Sequence, residues 1–106
     1  MSLEISVQDL KEKMDGNENF VLIDVRKSDE LEICKIDEAI NIDMELIRNH
    51  FDDMDKNSDY VIMCRSGVRS MSVLYAMKDA GFTSVLNMKG GILAWANEID
   101  SSLQSY

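Results

Sequence analysis

The sequence predicts an α/β fold, in which a central, mostly parallel sheet of about five strands carries helices on both faces. Short apolar runs rich in β-forming residues alternate with segments whose apolar residues recur at helical spacing. The run FVLIDV at 20–25 is almost continuously apolar, which is typical of a strand buried on both faces of a parallel sheet. No internal repeat, low-complexity run or linker divides the 106 residues, so we expect a single domain over 1–106.

The first quarter of the chain contains one helix and two strands. Residues 6–14 are predicted to be helical, because Ser6 is a good N-cap and the apolar residues that follow share one face. Leu3 and Ile5 fit a short edge strand before this helix. A polar turn, DGNEN, then leads into the strand at 20–25.

The regular elements in the middle of the chain are shorter. Residues 28–33 fit one helical turn capped by Ser28, and residues 39–42 fit a short strand. Asp43 can cap a helix that continues to Phe51, with its apolar residues on one inner face.

The second half of the chain repeats the order of strand, loop and helix. Residues 60–63 form an apolar strand, and helical spacing follows over 70–80, with Ser70 as a good N-terminal residue and Gly81 as a good stop. The remaining predicted elements are a strand at 85–88, a helix at 92–99 and a loosely held tail at 101–106.

Composition excludes several classes of function. The net charge of −9 and the sequence pI near 4.4 make nucleic acid and anionic membranes poor partners. The sequence contains no apolar segment long enough to span a membrane, and its two cysteines imply no disulfide framework, so a cytoplasmic location is expected. His50 is the only histidine, which leaves little for a two-histidine metal site or a Cys–His catalytic pair; we expect no metal and no cofactor.

The stretch CRSGVRS at 64–70 carries the chemistry, because it lies between a predicted strand and a predicted helix. A tight loop that enters a helix can turn successive N–H groups toward one centre, where the helix dipole adds positive charge. The strand would deliver Cys64 into that centre, where its thiolate is stabilised. Arg65 and Arg69 add positive charge, and Gly67 supplies a positive φ or room for an anion. The pattern predicts a nucleophilic cysteine in an anion-binding loop, since a merely buried thiol needs no such neighbours.

Two charged residues lie at the C-terminal end of the 20–25 strand, where open α/β sheets place their sites. Asp24 and Arg26 are therefore candidates for a supporting role near the cysteine. We favour a structural interpretation for both, with Asp24 capping backbone amides and Arg26 paired with Asp29 or Glu30.

Four segments in this order and spacing resemble the rhodanese-like family of single-domain sulfurtransferases. They are LIDVRKSDELE at 22–32, AINID at 39–43, CRSGVRS at 64–70 and AGFTSVLNMKGGILAW at 80–95. The resemblance implies a sheet of about five strands flanked by helices, and a persulfide carried on Cys64. It also implies a substrate-binding loop that comprises Arg65, Ser66, Gly67, Val68, Arg69 and Ser70.

The chain departs from the family pattern at 34–39. Where a Gly-His-Ile-Pro-Gly-Ala stretch is common, this sequence has CKIDEA, and it has no proline anywhere. The turn before the third strand is therefore expected to differ in shape. Cys34 could resolve a Cys64 persulfide as a disulfide, but we expect a plain exposed or half-buried thiol there.

The function implied by the resemblance is transfer of sulfane sulfur from thiosulfate or a persulfide donor to a thiol or cyanide, through a Cys64 persulfide. The expected partners are a small anionic donor and a persulfide- or thiol-bearing protein. A protein-to-protein sulfur carrier or a regulatory binding module remains an alternative. A phosphatase or arsenate reductase is a further alternative, but those sites place an arginine six residues after the cysteine. Here Ser70 has that position and Arg69 comes one earlier, which favours a sulfur donor over phosphate.

Overall fold

The computed structural model describes residues 3–106, and these residues alternate between strands and helices. In chain order the strands are β1 (Glu4–Ile5), β2 (Val21–Asp24), β3 (Ile40–Asn41), β4 (Asp59–Met63) and β5 (Ser84–Met88). The α-helices are α1 (Val7–Asp15), α2 (Ser28–Ile33), α3 (Val68–Asp79) and α4 (Gly91–Glu98), and a 3₁₀ helix covers Ile47–Asp53.

Within residues 3–106, five strands form one sheet in the order β1-β5-β4-β2-β3, and every neighbouring pair is parallel. This confirms the predicted fold class and the edge position of the first strand. Asp24 at the end of β2 is level with Met63 at the end of β4, so the residues that follow these two strands emerge side by side. The carboxyl ends of parallel strands are where such folds place their sites.

Alternate residues of the neighbouring strands β2 and β4 pack into separate cores, one on each face of the sheet. Ile23 and Ile62 belong to the core that α3 and the 3₁₀ helix cover. Leu22 and Val61 belong to the core that α1 and α4 cover. The continuous apolar run at 20–25 therefore has the predicted cause, which is burial on both faces.

The first helix begins as predicted. The Ser6 side chain accepts a hydrogen bond from the Asp9 amide at 3.1 Å, which satisfies one of the unpaired amides at the helix start. The α1 helix buries Val7 and Leu10 against the sheet. Ser28, in contrast, is the first residue of α2 and not its cap, because Lys27 has the extended conformation that precedes the helix.

The predicted helix over 43–51 is wrong in its start and its type. The Asp43 carboxylate accepts a hydrogen bond from the Glu45 amide at 2.9 Å, two residues on, which closes a turn instead of capping an α-helix. Regular structure begins only at Ile47, as a 3₁₀ helix that buries Ile47 and Phe51.

Ser70 does not begin the helix that follows the cysteine loop. Gly67 has a φ of +101° and directly precedes α3, so the left-handed turn at this glycine sets the helix start at Val68. Ser70 is consequently in the first turn of α3, fully buried. The predicted stop is confirmed, since Gly81 has a φ of +101° just beyond the last residues of α3.

The expectation of a loosely held tail over 101–106 is also wrong. The Tyr106 hydroxyl lies 2.8 Å from Arg26 Nη1, from which it accepts, and 2.6 Å from Glu30 Oε2, to which it donates. The Tyr106 ring stacks near the guanidinium of Arg65, whose carbon is 5.1 Å from the ring centroid. These contacts bring the tail to the edge of the cysteine loop.

Between residues 3 and 106, none of the helices has both the length and the apolar character that crossing a bilayer would need.

Candidate active site

The site is organised around the Cys64 sulfur, which lies directly after β4 and is 1% exposed. The Gly67 amide is 3.1 Å from Cys64 Sγ, the Ser70 amide 3.4 Å and the Ser70 hydroxyl oxygen 3.2 Å. The left-handed turn at Gly67 directs these donors inward, since it lets the chain curl around the sulfur before α3 begins. The predicted convergence of donors on this cysteine is therefore present.

These contacts act on the ionisation of the thiol. Burial by itself raises the pKa of Cys64, because it removes water from the thiolate. Hydrogen bonds from the Ser70 hydroxyl and amide, and from the Gly67 and Ser66 amides, outweigh burial and hold the pKa below its ordinary value. The hydrogen bonds around Cys64 therefore favour the thiolate over the thiol.

We expect Ser70→Ala to raise the pKa of Cys64, because it removes the donor that lowers that pKa most. The measurement is the rate of iodoacetamide alkylation of Cys64 against pH, with Cys34 resolved separately by peptide mass spectrometry. The parent should show a midpoint below that of a free cysteine, and Ser70→Ala a higher one. Ser72→Ala, an exposed change in the same helix, should leave the midpoint in place. A parent midpoint at or above that of a free thiol would contradict the assignment.

The amino end of α4 is hydrogen-bonded to the start of the cysteine loop. The Ile92 amide donates to the Cys64 carbonyl at 2.9 Å, and the Leu93 amide donates to the Arg65 carbonyl at 3.1 Å. Gly91 makes this approach possible, since a Cβ there would clash with the Arg65 carbonyl and lie 2.6 Å from the Ser66 nitrogen. The predicted helix began at residue 92, and the contact made by Gly91, the first residue of α4, was not predicted.

Both arginines of the loop already have partners within the chain. Arg69 Nη1 and Nη2 donate to the two carboxylate oxygens of Glu30 at 2.6 and 2.8 Å. Arg65 donates through Nε and Nη2 to the main-chain oxygen of Tyr106, the Nε contact being 2.7 Å. The hydrogen bonds from Arg69, assisted by Tyr106, lower the pKa of Glu30 to about 2, so this carboxylate stays charged at neutral pH.

Asp24 and Arg26 form a buried ion pair with each other. Arg26 is 0% exposed, and its Nε and Nη2 donate to Asp24 Oδ1 and Oδ2 at 3.0 and 2.7 Å. The Asp24 carboxylate also accepts from the Arg26 amide at 3.0 Å, so the predicted capping of a backbone amide is present. The predicted partners of Arg26 are wrong, because it contacts Glu30 only through that residue's main-chain carbonyl, at 3.5 Å.

The remaining Arg26 contacts join the pair to other parts of the chain. Its Nη2 donates to the Cys34 carbonyl at 2.9 Å, and its Nη1 donates to the Tyr106 hydroxyl. Burial alone would lower the pKa of Arg26, but Asp24 and Tyr106 raise it, so the guanidinium remains charged. The pair therefore ties β2, the chain after α2 and the tail together beside the cysteine loop.

Sequence reasoning missed Asn87 and Tyr106, and it named Glu30 only as a partner of Arg26, not of Arg69. Asn87 is 0% exposed at the end of β5, where it accepts from the Ser70 hydroxyl at 2.5 Å. A polar residue inside the apolar run VLNM was the available signal for it. Of the predicted loop residues, Ser66 and Val68 have exposed side chains, and Val68 is 75% exposed.

Cys34 is buried, at 7% exposure, and the expectation of an exposed or half-buried thiol is wrong. The reason is that the segment after α2 turns inward and packs with Ile36, Val61 and Trp95. Cys34 borders a cleft of about 520 Å³ there. Cys64 belongs to the separate core on the other sheet face, so the packing does not bring the two thiols together.

Across the part of the chain that the structure describes, residues 3–106, no three His, Cys, Asp or Glu side chains are grouped so as to hold a metal ion. The cysteine loop offers a thiol, hydrogen-bond donors and two arginines.

Comparison with known proteins decides the family. Residues 6–98 match the Rhodanese-like domain family. The chain belongs to the rhodanese-like family. The "Putative sulfurtransferase YtwF" of Bacillus subtilis is 42% identical over 95 residues, covering 90% of this chain and 91% of that protein. A "Sulfurtransferase" of Allochromatium vinosum is 36% identical over 93 residues, covering 88% and 87%.

Solved structures agree with this rhodanese-like assignment. A rhodanese-like domain protein from Staphylococcus aureus matches with a TM-score of 0.83 at 30% identity, over 100% of this chain and 99% of that one. The human single-domain sulfurtransferase TSTD1 matches with a TM-score of 0.84 at 18% identity, over 92% and 98%, a likeness of fold alone. The fold and the named relatives support an enzyme of the rhodanese family with sulfurtransferase activity in general.

Proposed function

We propose that this protein transfers sulfane sulfur from a small donor to a thiol or cyanide, through a persulfide on Cys64. The observation that carries the proposal is the convergence of the Gly67 and Ser70 amides and the Ser70 hydroxyl on Cys64 Sγ, within 3.1 to 3.4 Å. Donors in this arrangement stabilise negative charge on the sulfur before reaction, and the same loop amides can stabilise the charge on the outer sulfur of a persulfide.

The proposed reaction has two displacements. The Cys64 thiolate attacks the sulfane sulfur of the donor, a new S–S bond forms, and the old bond breaks with its electron pair leaving on sulfite or on a thiolate. An acceptor, cyanide or a thiolate, then attacks the outer sulfur of the persulfide and returns Cys64 as a thiolate. The first displacement starts from the Cys64 thiolate, and the lowered pKa of Cys64 favours that form.

Anionic donors are proposed to bind at the mouth of the loop, where Arg65 and Arg69 place positive charge. The Glu30 carboxylate cancels much of the Arg69 charge, since it takes a hydrogen bond from each terminal nitrogen. Arg69 would still bind a sulfonate through its remaining N–H groups, but more weakly than a free guanidinium.

We expect Glu30→Gln to lower the KM for thiosulfate about fivefold with kcat little changed, because removing one nearby negative charge is worth on the order of 1 kcal/mol. Steady-state formation of thiocyanate measures both constants. Glu32→Gln, an exposed change in the same helix with the same change in charge, is the matched control. In an Arg69→Ala background the Glu30 substitution should lower the KM by a smaller factor, because only the direct repulsion between Glu30 and the anionic donor is then removed. An equal fall in KM for the control, or an unchanged KM, would contradict the role of Arg69.

A sulfur carrier that exchanges with a protein partner is the second candidate. Two observations favour it. Both loop arginines are held by other parts of the chain, and Val68, the first residue of α3, is 75% exposed and apolar. Thiosulfate would then be a poor donor. Comparing thiosulfate with glutathione persulfide under the same conditions separates the two cases. Saturation with either small donor at low concentration supports the enzyme proposal, whereas saturation only at very high concentrations of both supports the carrier.

A further inference from the structure

The Ser70 hydroxyl has two acceptors and only one proton. Its oxygen is 3.2 Å from Cys64 Sγ and 2.5 Å from Asn87 Oδ1. Ser70 and Asn87 are both fully buried, so the two acceptors compete for the proton away from bulk solvent. A hydroxyl donates one hydrogen bond at a time, and therefore the Cys64 and Asn87 contacts cannot both be donated by Ser70.

The orientation of the Asn87 amide is determined by its other neighbours. Its Nδ2 is 3.1 Å from the Gly67 carbonyl and 3.4 Å from Glu4 Oε2, and both of these groups are acceptors. The nitrogen must face them, so the oxygen faces Ser70. Asn87 thus offers Ser70 an acceptor and, on its other side, supports the loop through Gly67.

We propose that Asn87 is a positioning residue for the sulfur chemistry, whose Oδ1 holds the Ser70 proton while Cys64 is a thiol or a persulfide and releases it when Cys64 is a thiolate. In the thiol state Cys64 donates its S–H to the Ser70 oxygen, and Ser70 donates to Asn87. On ionisation the Cys64 proton leaves to solvent, and the Ser70 O–H rotates toward the thiolate. Once sulfur is bound, the charge moves to the outer atom, Sγ becomes a weak acceptor, and the Ser70 proton returns to Asn87.

Competition for the Ser70 proton shifts the balance between the states of Cys64 in one direction. Because Asn87 competes with the thiolate for the Ser70 proton, it disfavours the thiolate relative to both the thiol and the persulfide, and so favours the loaded state. The charged groups around the cluster are Arg65, Arg69 with its partner Glu30, and Glu4, which reaches Asn87 from β1. A neutral substitution at Asn87 changes none of these charges, although it removes the Asn87 Nδ2 contact to Glu4. The inference rests on the proposed function, because the persulfide is a state of that reaction, but its test needs no sulfur donor.

The test is the pH dependence of Cys64 alkylation by iodoacetamide in Asn87→Leu, which nearly keeps the volume and removes the Oδ1 acceptor together with the Nδ2 donor to the Gly67 carbonyl. We expect the midpoint to fall by about half a unit to one unit, since one neutral hydrogen bond is freed for the thiolate. In the Ser70→Ala background the same substitution should leave the midpoint unchanged. A midpoint that stays or rises on Asn87→Leu, or falls equally in the Ser70→Ala background, would overturn the proposal.

A measurement on the parent protein keeps the test available if Asn87→Leu does not fold. The ¹³Cγ chemical shift of Asn87 should titrate with the midpoint of Cys64 alkylation, because the amide loses its donor as the thiolate forms. In Ser70→Ala that titration should be largely lost. A shift that does not follow Cys64, or that titrates equally without the Ser70 hydroxyl, would overturn the proposal. Either result is independent of whether thiosulfate or any persulfide is a substrate.

Discussion

Cys64→Ser should reduce thiocyanate formation from thiosulfate and cyanide by at least ~10³-fold, while the protein keeps its fold. The serine hydroxyl fits among the donors around position 64, but it does not ionise near neutral pH and cannot form the S–S bond. The site is buried and well packed, so a replacement of nearly equal size should leave the melting temperature within a few degrees of the parent. Steady-state assays with circular dichroism on the same samples measure both effects.

Cys34→Ala is the matched control for this experiment. Cys34 is the other cysteine of the chain and is also buried, but it belongs to the core on the opposite sheet face. Its removal should leave turnover close to that of the parent. Residual turnover in Cys64→Ser above the uncatalysed rate would contradict the covalent route, and loss of turnover in Cys34→Ala would require a resolving thiol.

Asp24→Ala should destabilise the protein by about 3–5 kcal/mol, because it leaves the Arg26 charge buried without its carboxylate. Domains of this size have a total stability of roughly 5–15 kcal/mol, so the loss is a large share of it. The melting temperature should fall by more than about 10 °C. Urea unfolding followed by Trp95 fluorescence, together with thermal melts, measures the change.

The double variant Asp24→Leu with Arg26→Met is the control, since it removes both charges and fills much of the space. It should be markedly more stable than Asp24→Ala, because no unpaired charge remains in the interior. A loss of less than about 1 kcal/mol in Asp24→Ala would show that Arg26 finds other compensation, from the Cys34 carbonyl and the Tyr106 hydroxyl.

Local sequence patterns were sufficient for the parts of the fold that depend on local preferences. The Ser6 cap, the stop at Gly81 and the apolar run of β2 each follow from a preference within a few residues. The cysteine loop was predictable for the same reason, because a strand, Gly67 and a helix start are contiguous in the chain. The errors at Ser70 and Asp43 arose where two nearby residues could each begin a helix or a turn.

The parts of the site that could not be predicted depend on contacts between distant segments. Three contacts at the site join residues that are far apart in the chain. The separation is 39 residues between Glu30 and Arg69, 41 between Arg65 and Tyr106, and 17 between Ser70 and Asn87. No periodicity or motif carries such pairings, and each residue alone fits an exposed acid, a tail residue or a strand residue. The partner of Arg26 was mispredicted although Asp24 is only two residues away, because both flank the end of β2 and their side chains meet only once the chain turns there.

The most direct test of the central claim is the intact mass of the reduced protein after incubation with thiosulfate or glutathione persulfide and desalting, with Cys64→Ser alongside. We expect one added sulfur atom on the parent, none on the variant, and removal of that sulfur by cyanide as thiocyanate. A parent whose mass stays unchanged with both donors, while Cys64 is shown to be free and alkylatable, would contradict the proposed persulfide chemistry.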